Sequence, residues 1–260
     1  MTMFCVLGPM EVHVAGRRVP VRGPMRQRLL ATFLAAQGEL VTVESLADEL
    51  WGTTPPPTLE NALQAQISRI RRQLEGLEPD REAPRFVTTA VGYRFLVEPH
   101  EIDATAFATV VDTIRARTAS REPSADDVLA LRQALRMWRG PIHGGLAGGR
   151  LCRTATARIA ESRLAAQELL YELELGSGSA ARIIPELTEL VVQHPLHERF
   201  CGQLMVALYR AGRQIEALGH FRRLRTRMNE ELGIDPSPVV GRFERAILRH
   251  DPVLAGPLAA

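Results

Sequence analysis

Between Thr58 and Leu74 the chain reads TLENALQAQISRIRRQL, and this stretch limits the available folds more than any other. Leu63, Ile67, Ile70 and Leu74 recur at helical spacing and make one narrow apolar stripe, so the segment is expected to be a helix with one side on a core. At about 100° per residue, Asn61, Ala65, Ser68, Arg69 and Arg72 project from the opposite side, with Gln64 and Arg71 on its flank. That face offers guanidinium, amide and hydroxyl groups and one small residue that permits close approach. It carries no carboxylate, because the nearest acids, Glu60 and Glu75, stand at its two ends. Such groups hydrogen-bond phosphates and base edges in a DNA major groove. Taken alone, the same face serves equally as a solvated surface with three arginines, and the flanking sequence has to decide.

Upstream, Phe4 to Leu7 is a short apolar run that ends at Gly8-Pro9. Met10, Val12 and Val14 alternate with Glu11 and His13, and Val19 and Val21 continue the pattern beyond Ala15-Gly16, which predicts three antiparallel strands. Met25 to Gln37 reads as a helix with Leu29, Leu30, Phe33 and Leu34 on its apolar face and Gly38 as its stop. Thr42 is placed to cap a second helix, Val43 to Trp51, with Leu46, Ala47, Leu50 and Trp51 facing inward. Gly52 and three consecutive prolines, Pro55 to Pro57, break the chain before Thr58, the expected cap of the third helix. Beyond it, Phe86 to Val97 holds two β-rich runs around a turn expected to need Gly92. Strands, three helices and a hairpin are the order of a winged helix-turn-helix. The second helix would brace the third, the third would enter the major groove, and the hairpin would lie along the backbone or in the minor groove.

Charge supports a local contact with DNA and not a bulk one. The net charge is only +2, yet all 32 basic residues are arginine, a usage that GC-rich coding explains and that leaves every cation bidentate-capable. Arg17, Arg18, Arg22, Arg26 and Arg28 cluster without an acid among them, and Arg26 joins the candidate contacts from that group. No glycine-rich phosphate loop, metal-ligand spacing or nucleophile with a base can be proposed, so no enzyme, cofactor or metal site is expected. Three scattered cysteines, Cys5, Cys152 and Cys201, suggest a reduced, cytoplasmic setting, and no run is long enough to span a bilayer.

From Glu98 onward the pattern turns helical. Asp103 can cap a helix bearing Phe107, Val110, Val111 and Ile114, and a second runs from about Ser124 to Trp138. Arg139 to Leu146 is rich in glycine and reads as a connection, followed by a long helix over about Arg150 to Leu175. Gly178, Ile183 and Leu187 then match Gly212, Ala217 and Phe221, each 34 residues later, the period of a tetratricopeptide repeat. Stacked helix pairs of that kind form surfaces for protein partners, and equally a bundle that only dimerises or stiffens the molecule. His194 and His197 lack further ligands and are read as loop residues beside a helix start.

Leu7-Gly8-Pro9, Gln27-Arg28-Leu29-Leu30, Leu50-Trp51-Gly52, Asn61-Ala62-Leu63-Gln64 and Ser68-Arg69-Ile70-Arg71-Arg72, with Gly92-Tyr93-Arg94-Phe95 closing the hairpin, resemble an OmpR-type DNA-binding domain over residues 3 to 97. Specifically, they resemble the Streptomyces antibiotic regulatory protein family. His194-Pro195-Leu196-His197-Glu198-Arg199, Leu208-Tyr209-Arg210-Ala211-Gly212-Arg213 and Glu231-Leu232-Gly233-Ile234-Asp235-Pro236 are similar to the bacterial transcriptional activator domain that follows it in that family. The resemblance implies an α+β winged helix over residues 1–97 and an all-α tetratricopeptide-like domain over 98–260. It implies a transcriptional activator of an antibiotic gene cluster that binds promoter direct repeats as a homodimer or tandem copies and recruits RNA polymerase with its sigma factor. The expected DNA contacts are Thr58, Asn61, Gln64, Ala65, Ser68, Arg69, Arg71, Arg72, Arg94 and Arg26. One departure stands out: the hairpin tip has Thr89-Ala90-Val91 where the family often carries Arg-Pro-Pro, which leaves Arg94 as its only charge. The competing reading is a winged-helix scaffold that binds proteins and not DNA.

Overall fold

The alternation at the start of the chain becomes an antiparallel sheet in the computed structural model, which describes residues 2–255. Its strands are β1 (Thr2–Cys5), β2 (Glu11–Val14) and β3 (Arg17–Pro20), in that spatial order. Phe4 stands opposite Val12 and Val12 opposite Val19, a register that keeps the apolar set together on one face. Helix α1 (Pro24–Ala36) buries Leu29, Leu30, Phe33 and Leu34. It stops where Gln37 turns left-handed at φ 50°, one residue ahead of the expected Gly38.

Strand β4 (Leu40–Thr42) was not expected, because three residues carry too little alternation to register. Helix α2 (Val43–Trp51) follows and is capped as anticipated: Thr42 Oγ1 accepts the Ser45 N–H at 3.2 Å. Helix α3 (Leu59–Leu77) buries Leu63, Ile67, Ile70 and Leu74. Thr58 does not cap it with its side chain. At φ −111° and ψ 61° the residue is outside the extended region a capping hydroxyl needs, and only its carbonyl engages, accepting the Ala62 N–H at 3.0 Å.

Strands β5 (Phe86–Thr88) and β6 (Gly92–Phe95) form the expected hairpin, and β4 joins it to give the order β4-β6-β5. The need for Gly92 is not conformational. A Cβ there would lie 2.1 Å from the Val41 carbonyl oxygen, so glycine lets β6 come close to β4, and Thr89 makes the turn itself by donating its N–H to Gly92 O at 2.9 Å. Behind the sheet Phe33, Phe86, Phe95 and Phe4 pack in a row, edge-on or tilted, with centroid spacings of 5.2, 4.9 and 5.4 Å.

Asp103 opens α4 (Asp103–Ser120) but reaches away from it, accepting the Val6 N–H at 2.7 Å and the Leu7 N–H at 3.2 Å. These amides follow β1 and would otherwise be buried without a partner, a stronger demand than capping a helix end. Helix α5 (Ala125–Leu135) ends before Trp138, whose ring meets Phe107 edge-on at 5.6 Å.

Packing groups residues up to 120 with 130–164 in one unit, and 121–129 with 165 onward in a second; α5 and α6 (Arg150–Gly176) give residues to both. The second unit is helical, with α7 (Ala180–Gln193), α8 (Glu198–Arg210), α9 (Gln214–Leu232) and α10 (Pro238–Leu248). The 34-residue correspondence is visible in it. Gly178 and Gly212 each turn left-handed ahead of a helix, at φ 82° and 76°, and Ile183 and Ala217 are each fully buried five residues later. Among the described residues no helix is long and apolar enough to cross a membrane.

Candidate nucleic-acid interface

The buried stripe of α3 fixes its rotation, and α1 and α2 pack against it. Asn61, Gln64, Ala65, Ser68, Arg69 and Arg72 therefore share one exposed face, with Thr58 exposed at its start. Arg72 lies along the helix, its Nε donating to Ser68 O at 3.4 Å. Among the described residues neither Arg69 nor Arg72 pairs with a carboxylate. The donors of Arg69 and the Nη groups of Arg72 remain available to phosphate or to guanine O6 and N7.

Arg71 is taken out of this set. It is half-buried, its Nη2 donates to Phe86 O at 3.5 Å, and its Nε is buried without a partner among the described residues, so the side chain leans on β5 instead of projecting with its neighbours. Arg94 is exposed between buried Tyr93 and Phe95, with Leu40 and Val87 as its cross-strand neighbours. Arg26, in the first turn of α1, is half-buried and folded against Gly23. The hairpin tip, Thr89 to Val91, is exposed and uncharged.

The residue that locks helix and hairpin together escaped the sequence reading. Arg85 is 4% exposed and places Nε and Nη2 on Glu78 at 2.8 and 2.6 Å, and Nη1 and Nη2 on Glu101 at 2.6 and 2.7 Å. Nη1 also donates to Leu96 O at 3.0 Å, and the guanidinium lies 5.0 Å from the Phe4 ring centre. Glu78 is the C-cap of α3 and Leu96 follows β6, so one side chain ties α3 to the hairpin. Burial alone would raise the Glu78 and Glu101 carboxyls, but hydrogen bonds and charge from Arg85 hold both below the ordinary range. The only sequence sign was an arginine after an acidic stretch, which specifies no partner.

Other titratable groups serve the fold. Glu49 accepts the Leu151 N–H at 2.5 Å and the Cys152 N–H at 3.3 Å, an anion at the start of α6. Burial pushes the Cys5, Cys152 and Cys201 thiols up to about 12, which leaves them unreactive. His197 Nδ1 accepts the Phe200 N–H at 3.4 Å while its Nε2 faces Glu168 at 3.1 Å, so this histidine caps α8.

Two family models match the chain. "Bacterial transcriptional activator domain" covers residues 102–248, more than half of it, and "Transcriptional regulatory protein, C terminal" covers residues 21–95. The transcriptional regulator RedD of Streptomyces coelicolor is 38% identical over 255 residues, which are 98% of this chain and 72% of RedD. The regulatory protein DnrI of Streptomyces peucetius is 36% identical over 258 residues, spanning 95% of this chain and 92% of DnrI. The chain belongs to the Streptomyces antibiotic regulatory protein family. A solved structure of Mycobacterium tuberculosis EmbR in complex with a low affinity phosphopeptide superposes with a TM-score of 0.87 at 29% identity, covering 99% of this chain and 66% of that one. As a member of the antibiotic regulatory protein family, the chain is a DNA-binding transcriptional regulator with an OmpR-type winged helix and a helical activator domain.

Proposed function

We propose that the protein activates an antibiotic or other secondary-metabolite gene cluster by binding promoter direct repeats through α3 and recruiting RNA polymerase with its sigma factor. The reading rests above all on the exposed, acid-free face of α3, in which Asn61, Gln64, Ser68, Arg69 and Arg72 stand together with their donors uncommitted to any acid. Arg69 and Arg72 contact guanine or phosphate, Asn61 and Gln64 the edges of adenine, and Ala65 lets the helix sit deep in the groove. Thr58 donates to the backbone at the entry to the helix, and Arg94 adds a phosphate contact from β6. Arg26 stays in the set as a backbone contact from α1, and Arg71 orients its neighbours from the rear. Copies bound to the same face of the duplex, as a homodimer or in tandem, need sites about one turn apart, roughly 10 to 11 base pairs. The protein acts without catalysis or a cofactor, in the cytoplasm on the nucleoid.

The test is footprinting and gel retardation of the protein on its own upstream promoter in excess nonspecific DNA. Protection of two repeats spaced by one helical turn supports the proposal. Retardation that disappears with competitor, leaving no protected site, would favour a protein-binding scaffold instead.

A further inference from the structure

The second unit holds a cavity that DNA reading does not use. It measures about 680 Å³, well within the size of small-molecule sites. Helices α8 and α10 close tightly beneath it because Gly202 has no side chain; a Cβ there would lie 2.9 Å from the Phe243 ring. Val240, Phe243 and Leu254 give the cavity an apolar floor.

Three exposed arginines share its lining. Arg242 and Arg245 of α10 and Arg249, its C-cap, line the cavity at relative positions i, i+3 and i+7. Among the described residues none of these guanidinium groups has an acid partner or a hydrogen bond. The three carboxylates of the wall bond to groups other than these arginines, one in an ion pair and two with backbone amides. Glu172 holds Arg199 at 2.6 Å, Glu198 accepts the Ser237 N–H at 2.8 Å, and Asp251 accepts the Val253 N–H at 3.0 Å. Three uncommitted planar cations over an apolar floor suit a ligand that combines one anionic fork with an apolar body. A purely apolar ligand would gain nothing from the arginines, and a polyanion would leave the floor uncovered.

We propose that this cavity binds a hydrophobic organic acid, a free small molecule with a single carboxylate on an apolar chain or ring system. Its carboxylate is held by Arg242, Arg245 and Arg249 and its apolar part lies on Val240, Phe243 and Leu254. The proposal stands whether or not α3 reads DNA, since no residue of the site belongs to that face.

Decanoate and decan-1-ol, the same chain with and without the charge, are the probes, titrated calorimetrically into the full chain. Decanoate is expected to saturate one site and to bind at least about tenfold more tightly than the alcohol, the scale of a charge-assisted hydrogen bond. The double variant R245Q/R249Q should lose about tenfold or more in decanoate affinity while its thermal melt stays at the parental temperature. Equal affinity for acid and alcohol, no saturable binding of either, or full decanoate affinity in the folded double variant would each overturn the proposal. So would displacement of decanoate at lower concentration by a short apolar peptide with a free C-terminus but not by its amide, because the site would then belong to a protein terminus.

Discussion

Arg85 and Arg69 are the same side chain in opposite settings, 16 positions apart in the chain. Arg85 is buried, with its donors directed at Glu78, Glu101 and the Leu96 carbonyl. Arg69 is exposed and among the described residues meets no carboxylate. A guanidinium taken out of water must have its donors engaged by the fold, and one meant to recognise something else must keep them in water. The difference lies in the neighbours and not in the residue. Acids at the C-cap of α3 and ahead of α4 draw Arg85 inward, whereas the outer face of α3 has been kept clear of them.

The largest test of that contrast is Arg85→Met. It leaves Glu78 and Glu101 partly buried without their cation, so a loss of about 3–5 kcal/mol in unfolding free energy is expected by thermal or urea denaturation. DNA binding would fall only because folded protein is lost. A stability change below about 1 kcal/mol would mean the clamp is ornamental.

Acid should reproduce part of this effect. The folded-state pKa values of Glu78 and Glu101 are depressed, so their contribution is fully present above the ordinary carboxylate range and disappears as pH falls through the folded values. The melting temperature of the parent protein should therefore drop below pH of about 4.5, with a shallower drop in Arg85→Met. Parallel profiles would show that other groups govern acid unfolding.

On the exposed side, Arg69→Ala and Arg72→Ala should each weaken specific promoter binding by about 1–3 kcal/mol, with stability unchanged within about 0.5 kcal/mol. If the lost contact is to phosphate, binding to all sequences declines together and the salt slope becomes shallower. Unaltered affinity in a gel-shift titration would remove these side chains from the interface.

Arg71 should fall between the two classes and produce the smallest change. Its bond to Phe86 O is long and its Nε is unpartnered, so Arg71→Met is expected to shift stability by less than about 1 kcal/mol. It should also alter DNA affinity far less than Arg69→Ala. A binding loss equal to that of Arg69→Ala would show that the side chain swings outward on the duplex.

Periodicity made α3, its buried stripe and its exposed face legible, because each is set by residues three or four apart on one helix. The hairpin and the repeat in the second unit were readable for a similar reason: alternation and a fixed 34-residue period are local or translational patterns. Wherever a residue answers to a distant partner, reading by spacing failed. Asp103 looks like a cap from its place before a helix, yet it serves the amides after β1, nearly a hundred positions earlier. Gly92 looks like a turn residue, yet it is needed because another strand passes close by. Arg71 counts as a flank residue of the outer face on a helical wheel, yet it leans on β5.

The sequence alone determined the winged-helix order, the family and the acid-free face of α3, since pattern and side-chain chemistry are written along the chain. Tertiary structure decided which arginines keep their donors in water, through long-range partners that no spacing encodes. It also assembled an arginine-lined cavity from α8, α10 and the turn that ends the described chain, whose members come together only when the helices pack.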